Sequence, residues 1–112
     1  MKLSDEQWEF LKDVAKLINY AEKIAVKLTG GELYRTEEQQ RIYLENGKSK
    51  TMLSYHLKRL AIDFNFFVDD NPVYEHELIT KMGEYWESLN EKNRWGGNFK
   101  SLKDTPHFER NV

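Results

Sequence analysis

From Leu60 to Val68 the side chains alternate. Leu60, Ile62, Phe64, Phe66 and Val68 fall on one face, and Ala61, Asp63, Asn65 and Phe67 fall on the other. A period of two is the mark of a β-strand. The apolar set belongs against a core, so the chain must build a sheet with one covered face. The same alternation puts Asp63 on the opposite face, among small or polar neighbours. A carboxylate there needs a compensating partner, because an unpaired charge is costly to remove from water.

The segments around this strand read as helices and short strands in mixed order. Ser4 followed by Gln7 predicts a capping box at a helix start. Phe10, Leu11, Val14, Leu17, Ile18 and Ala21 then recur at helical spacing, with Lys12, Asp13, Lys16 and Asn19 on the other side. Ile24 to Leu28 is a short β-prone run broken by Thr29-Gly30-Gly31. Thr36 and Gln39 repeat the capping pattern and predict a helix over 37–45, closed at Asn46-Gly47 and followed by a polar loop from Gly47 to Thr51. Asp69-Asp70-Asn71-Pro72 reads as a turn, with Asn71-Pro72 as a cap for the next helix, whose stripe is Ile79, Met82, Trp86 and Leu89. Asn93 to Asn98 reads as loop and Pro106 to Arg110 as a last short strand. Without a regular βαβ alternation, the expectation is an α+β domain with a small, mostly antiparallel sheet flanked by helices.

Composition bounds the function classes. A chain of 112 residues supports a single domain, 1–112, with one core. It has no cysteine, which excludes disulfides and thiolate metal sites. With 17 Lys and Arg against 19 Asp and Glu, the net charge of −2 argues against nucleic acid as the main partner. No apolar stretch approaches the roughly 20 residues of a membrane helix, and Met1 to Glu6 lacks a secretory apolar region. The expectation is a cytoplasmically made protein without membrane insertion, monomeric by default.

The chain has three histidines, His56, His76 and His107. His76, between Glu75 and Glu77, reads as a solvated surface residue. His107 and Glu109 share one face of the last strand, with Phe108 on the other. If that strand neighbours the one carrying Asp63, then Asp63 and His107 project together and His56 enters from the preceding loop. Two imidazoles and a carboxylate suit a zinc ion with one open position. By spacing alone, a structural network of two histidines and an aspartate reads equally well.

The local words go further. Ser54-Tyr55-His56 followed by Ala61 and Asp63, and later Asp104-Thr105-Pro106-His107, resembles the zinc peptidases of bacterial cell-wall turnover. These are the D-alanyl-D-alanine carboxypeptidases and dipeptidases related to VanY and VanX, and the L-alanyl-D-glutamate endopeptidases used as phage endolysins. The endolysin branch is the more similar. Gly31-Glu32-Leu33-Tyr34-Arg35-Thr36-Glu37-Glu38-Gln39-Gln40 is similar to its Arg-Thr-x-x-Gln segment, Gly47 to Thr51 to its approach loop, and Trp95-Gly96-Gly97 through Glu109 to its Trp-Gly-Gly…Asp-x-Pro-His-Phe-Glu ending. The similarity runs from about Phe10 to Arg110. One departure is Arg59, which stands where Gly is commonest.

The resemblance implies a hedgehog- or D,D-peptidase-like fold in which His56, Asp63 and His107 hold Zn²⁺. It implies Asp104 as general base and Arg35 as the cation that stabilises charge on the attacked carbonyl oxygen. Ser54, Gln39 and Trp95 are its expected substrate-binding residues, Tyr55 and Lys58 its expected cleft lining. If the family's Gly serves a close backbone approach or a positive φ, Arg59 must meet that demand differently. The implied substrate is the peptidoglycan stem peptide, cut at L-Ala–D-Glu by a protein made in a host cytoplasm that meets the wall after the membrane is breached. The alternatives are a D,D-carboxypeptidase or dipeptidase on D-Ala-D-Ala, and a non-catalytic module with the same fold.

Overall fold

The computed structural model describes residues 1–49 and 54–112. Helix α1 spans Leu3–Lys23, strand β1 Lys27–Gly30, helix α2 Glu37–Glu45, and a 3₁₀ turn Tyr55–Lys58 leads into β2, Ala61–Val68. Then follow β3 (Asn71–Val73), α3 (Glu77–Leu89), β4 (Asn93–Trp95), a second 3₁₀ turn (Gly96–Asn98) and β5 (His107–Arg110). The sheet order is β1-β2-β5-β4, with β3 also paired to β2, and each pairing is antiparallel. The expected α+β architecture is the one observed.

The alternating segment is the central strand. Phe64 and Phe66 go into the core with Phe10, Val14, Leu17 and Ala21 of α1 and Ile79, Met82 and Trp86 of α3. Trp86 sits edge-on to both Phe10 and Phe108, and its indole N–H is shared between the carbonyls of Arg94 and Glu109. That contact fixes α3 to the sheet directly behind β5.

Several local expectations need correction. Helix α1 begins one residue before Ser4. Lys2 is the N-cap, and the Asp5 carboxylate accepts from the Lys2 N–H at 3.1 Å. Gln7 is drawn away to donate to the Lys58 carbonyl at 2.8 Å, which ties α1 to the first 3₁₀ turn. Leu11 and Ile18 are exposed, and the buried row is narrower than their apolar character suggests. Asp13 is buried instead, accepting from Asn93 at 3.0 Å. Asn71-Pro72 does not cap α3. It lies in β3, whose hairpin with β2 turns through Asp69 and Asp70 at positive φ. His76 is the cap, its ring Nδ1 accepting from the Leu78 N–H at 3.1 Å. Asn93 to Trp95 pairs with β5 rather than forming loop. Helix α2 starts and stops as expected, with Thr36 accepting from the Gln39 N–H and Gly47 at φ 73°. Of the polar loop from Gly47, residues 50 and 51 lie outside the described residues.

Candidate active site

Antiparallel register does most of the positioning. Asp63 of β2 stands opposite His107 of β5, so the two side chains leave the sheet on the same face. On its other edge Asp63 is held by the segment after β1: its N–H donates to the Glu32 carbonyl at 2.8 Å, and the Gly31 N–H donates to its carbonyl at 2.9 Å. A Cβ on Gly31 would lie 2.7 Å from that carbonyl oxygen, so the close approach requires glycine here.

His56 arrives from the 3₁₀ turn, where Ser54 accepts from its backbone N–H. The turn ends at Arg59, which adopts the left-handed conformation at φ 55° and ψ 38° and lays its guanidinium 4.2 Å from the Tyr34 ring centroid. The positive φ anticipated for this position is present, with an arginine meeting it.

Each imidazole has one nitrogen fixed by the protein. His56 Nδ1 donates to the Leu33 carbonyl at 2.8 Å, and His107 Nε2 donates to Glu109 at 2.7 Å. That points His56 Nε2 and His107 Nδ1 at Asp63 Oδ1, at 3.2 and 3.3 Å. His56 Nε2 and Asp63 Oδ1 are buried with no hydrogen-bond partner among the described residues. Two such unsatisfied atoms, with a ring nitrogen of His107 beside them and all three within 4.8 Å of one another, fit a cation. Tetrahedral ligands at 2.0–2.1 Å from zinc stand about 3.3 Å apart, which the observed separations match.

The same groups perturb one another's protonation. Burial alone would raise the Asp63 carboxyl, but His107 and His56 beside it hold it well below the usual carboxylate range. Burial opposes the His107 imidazolium, yet Asp63 and Glu109 push its pKa up to about 9. Asp104 moves the other way: burial, then the negative charge of Asp63, raise its carboxyl above the ordinary value. A carboxyl so placed can both accept and return a proton.

The group sits in a cleft of about 600 Å³ whose lining includes Arg35, Tyr43, Ser54, Tyr55, Phe99 and Asp104. A model of the D-alanyl-D-alanine carboxypeptidase family matches residues 47–110. The chain belongs to that family. It is similar to the L-alanyl-D-glutamate peptidase of Listeria phage A118, with 32% identity over 86% of this chain and 34% of that protein, so it spans about a third of the relative's length. Among solved structures it resembles the Serratia marcescens L-Ala D-Glu endopeptidase ChiX, at 26% identity and a TM-score of 0.70, covering 89% of this chain and 79% of that one. It also shares the fold of the D,D-pentapeptidase VanY from the VanB-type resistance cassette, solved with Zn(II), at 17% identity and a TM-score of 0.62, covering 92% and 71%.

Within this family member, the structure brings His56, Asp63 and His107 together as anticipated, with Asp104, Arg35 and Ser54 lining the same cleft. Arg35 is locked in place. Its Nε donates to Glu32, its Nη1 to Gln40 at 2.6 Å and Ser54 at 3.3 Å, and its guanidinium lies 4.7 Å from the Tyr43 ring centroid. Gln39 and Trp95 do not line the cleft. The glutamine that reaches Arg35 is its neighbour Gln40, fully buried, since α2 turns Gln40 inward and leaves Gln39 half-buried. Trp95 is a core residue whose indole N–H donates to the Thr105 carbonyl at 2.9 Å. It props the segment between Asp104 and His107 from behind. Tyr55 lines the cleft and Lys58 does not.

Glu32, Gln40, Arg94 and Glu109 escaped the sequence reading as site residues. Glu109 carried a signal in its shared face with His107, and Glu32 and Gln40 lay inside the Gly31 to Gln40 segment that resembles the family's.

Proposed function

We propose that the chain is a zinc-dependent peptidase that hydrolyses the L-Ala–D-Glu bond of the peptidoglycan stem peptide. The observation that carries this reading is the convergence of donor atoms from His56, Asp63 and His107, two of them without a hydrogen-bond partner among the described residues, at a cleft that Asp63 and His107 line together with Asp104 and Arg35. The choice of bond is supported by the names of the phage relative, an L-alanyl-D-glutamate peptidase, and of the Serratia structure, an L-Ala D-Glu endopeptidase. The zinc complex of the VanY neighbour supports the choice of metal.

Zinc bound by the three side chains would supply a Lewis acid and a water acidified toward a pKa of about 7. Asp104 takes the proton of the attacking water and returns it to the departing amine of D-Glu. Arg35, held rigid by Glu32, Gln40 and Ser54, stabilises negative charge as it builds on the carbonyl oxygen. In a phage setting the protein would be made in the host cytoplasm and reach the wall once the inner membrane is breached.

The test is digestion of purified peptidoglycan with and without a chelator, followed by mass spectrometry of the fragments. Stem peptides that begin at D-Glu, and vanish with the chelator, are expected. Release of terminal D-Ala alone would replace this reading with a carboxypeptidase.

A further inference from the structure

Glu109 and Arg94 line the cleft beside His107, and neither has a place in the chemistry above. We infer that they form a positioning pair that decides which nitrogen His107 offers to a metal. The inference rests on the metal-site reading above.

The imidazole of His107 can present either Nδ1 or Nε2, and a freely rotating or tautomerising ring would present both. Glu109 removes that freedom. Its Oε1 accepts from His107 Nε2 at 2.7 Å, and both side chains are almost fully buried, so the bond is shielded from competing water. The proton is thereby kept on Nε2, and Nδ1 is the nitrogen 3.3 Å from Asp63 Oδ1. Glu109 is itself held. Its second oxygen, Oε2, accepts from Arg94 Nε at 2.9 Å and Nη2 at 2.5 Å, a forked contact that a lysine would not reproduce. Register explains why the pair exists. Arg94 of β4 stands opposite Glu109 of β5, and Glu109 lies two residues beyond His107, hence on the same face. Arg94, Glu109 and His107 therefore form a chain from the cleft wall to the metal group. His56 reaches the same end by a different route, through the Leu33 carbonyl, which no side-chain substitution can remove.

The experiment measures zinc affinity by competition with a chromophoric chelator, and the visible spectrum of the cobalt-substituted protein, for parent, Glu109→Ala, Glu109→Gln and Arg94→Ala. Outer partners of metal-bound histidines typically contribute about 10–100-fold in affinity. Glu109→Ala should weaken zinc binding by that factor and shift the cobalt bands. Glu109→Gln, whose amide oxygen still accepts from Nε2, should recover part of the loss, and it serves if the alanine variant does not fold. Arg94→Ala should weaken binding several-fold. Affinities within twofold of the parent for both Glu109 variants, with an unchanged cobalt spectrum, would overturn the inference while leaving the zinc peptidase reading intact. A parent that binds neither zinc nor cobalt would overturn both.

Discussion

Gly96 links the turn after β4 to the chemistry, and Gly96→Ala tests that link. The Gly96 carbonyl accepts from the Asp104 N–H at 2.9 Å, and the Asp104 carbonyl accepts from the His107 N–H at 3.1 Å, so one short ladder sets the general base and a metal ligand together. A Cβ on Gly96 would lie 2.1 Å from the Asp104 carbonyl oxygen and 2.9 Å from His107 Cβ. Real contacts do not close below 3.0 Å, so the 104–107 turn must retreat by roughly 1 Å. Overpacking of this kind costs about 1–3 kcal/mol. For a domain of this size that is a fall in Tm of about 5–20 °C. A displacement of about 1 Å at reacting groups also costs about 100-fold in rate. Thermal melts and initial rates on solubilised peptidoglycan, side by side, read both effects. Gly30→Ala is the control, because a Cβ there meets nothing within 4 Å, and it should stay within about 0.5 kcal/mol of the parent. A Gly96→Ala protein with the parent's Tm and rate would refute the coupling, and so would one that melts early yet turns over normally.

Other expectations follow from the same geometry. Asp104→Ala should retain zinc, measured by atomic absorption, while hydrolysis falls by about 10²–10⁴-fold; full activity would remove Asp104 as the base. Arg35→Lys should lose about 10²–10³ in kcat without losing zinc, because a single ammonium cannot serve Glu32, Gln40 and Ser54 at once. For protein held in chelator, stability should depend on pH through His107. Its folded pKa of about 9 lies above the ordinary 6.5, so its contribution is whole below pH 6.5 and is lost as pH rises through 9. Asp63, held low, acts oppositely, contributing above 3.8 and losing that contribution as pH falls further. Tm should therefore decline between pH 6.5 and 9, and zinc addition at pH 7.5 should release close to one proton in calorimetry across buffers of different ionisation enthalpy. A flat Tm with no proton release would show His107 already neutral.

What could be read from the sequence follows physical range. The Leu60 to Val68 alternation and the placing of His107 opposite Phe108 depend on period alone, so β2 and β5 were legible, while the shared face of Asp63 and His107 needed the strand pairing that the fold supplies. Helix α2 was legible because Thr36 and Gly47 set its ends locally. The start of α1 was misplaced because Gln7 makes a bond to Lys58, far away in the chain, that no local pattern encodes. The same limit hid Gln40: choosing between adjacent glutamines depends on which side of α2 faces Arg35, a tertiary fact. Trp95 misled for a related reason, since a tryptophan beside two glycines suits a cleft wall as well as the core where it is found. Asp13 and Asn93 satisfy each other inside the protein, and each looked solvated when read alone.

The seam between β2 and β5 carries one more consequence. An ion held by His56, Asp63 and His107 would rivet both strands and the 3₁₀ turn at a single point. Capture of the ion and pairing of β5 with β2 would then be coupled, each strengthening the other by mass action. A molecule whose β5 has not seated would keep two of the three ligands, His56 and Asp63, so a complete metal site would require a finished sheet.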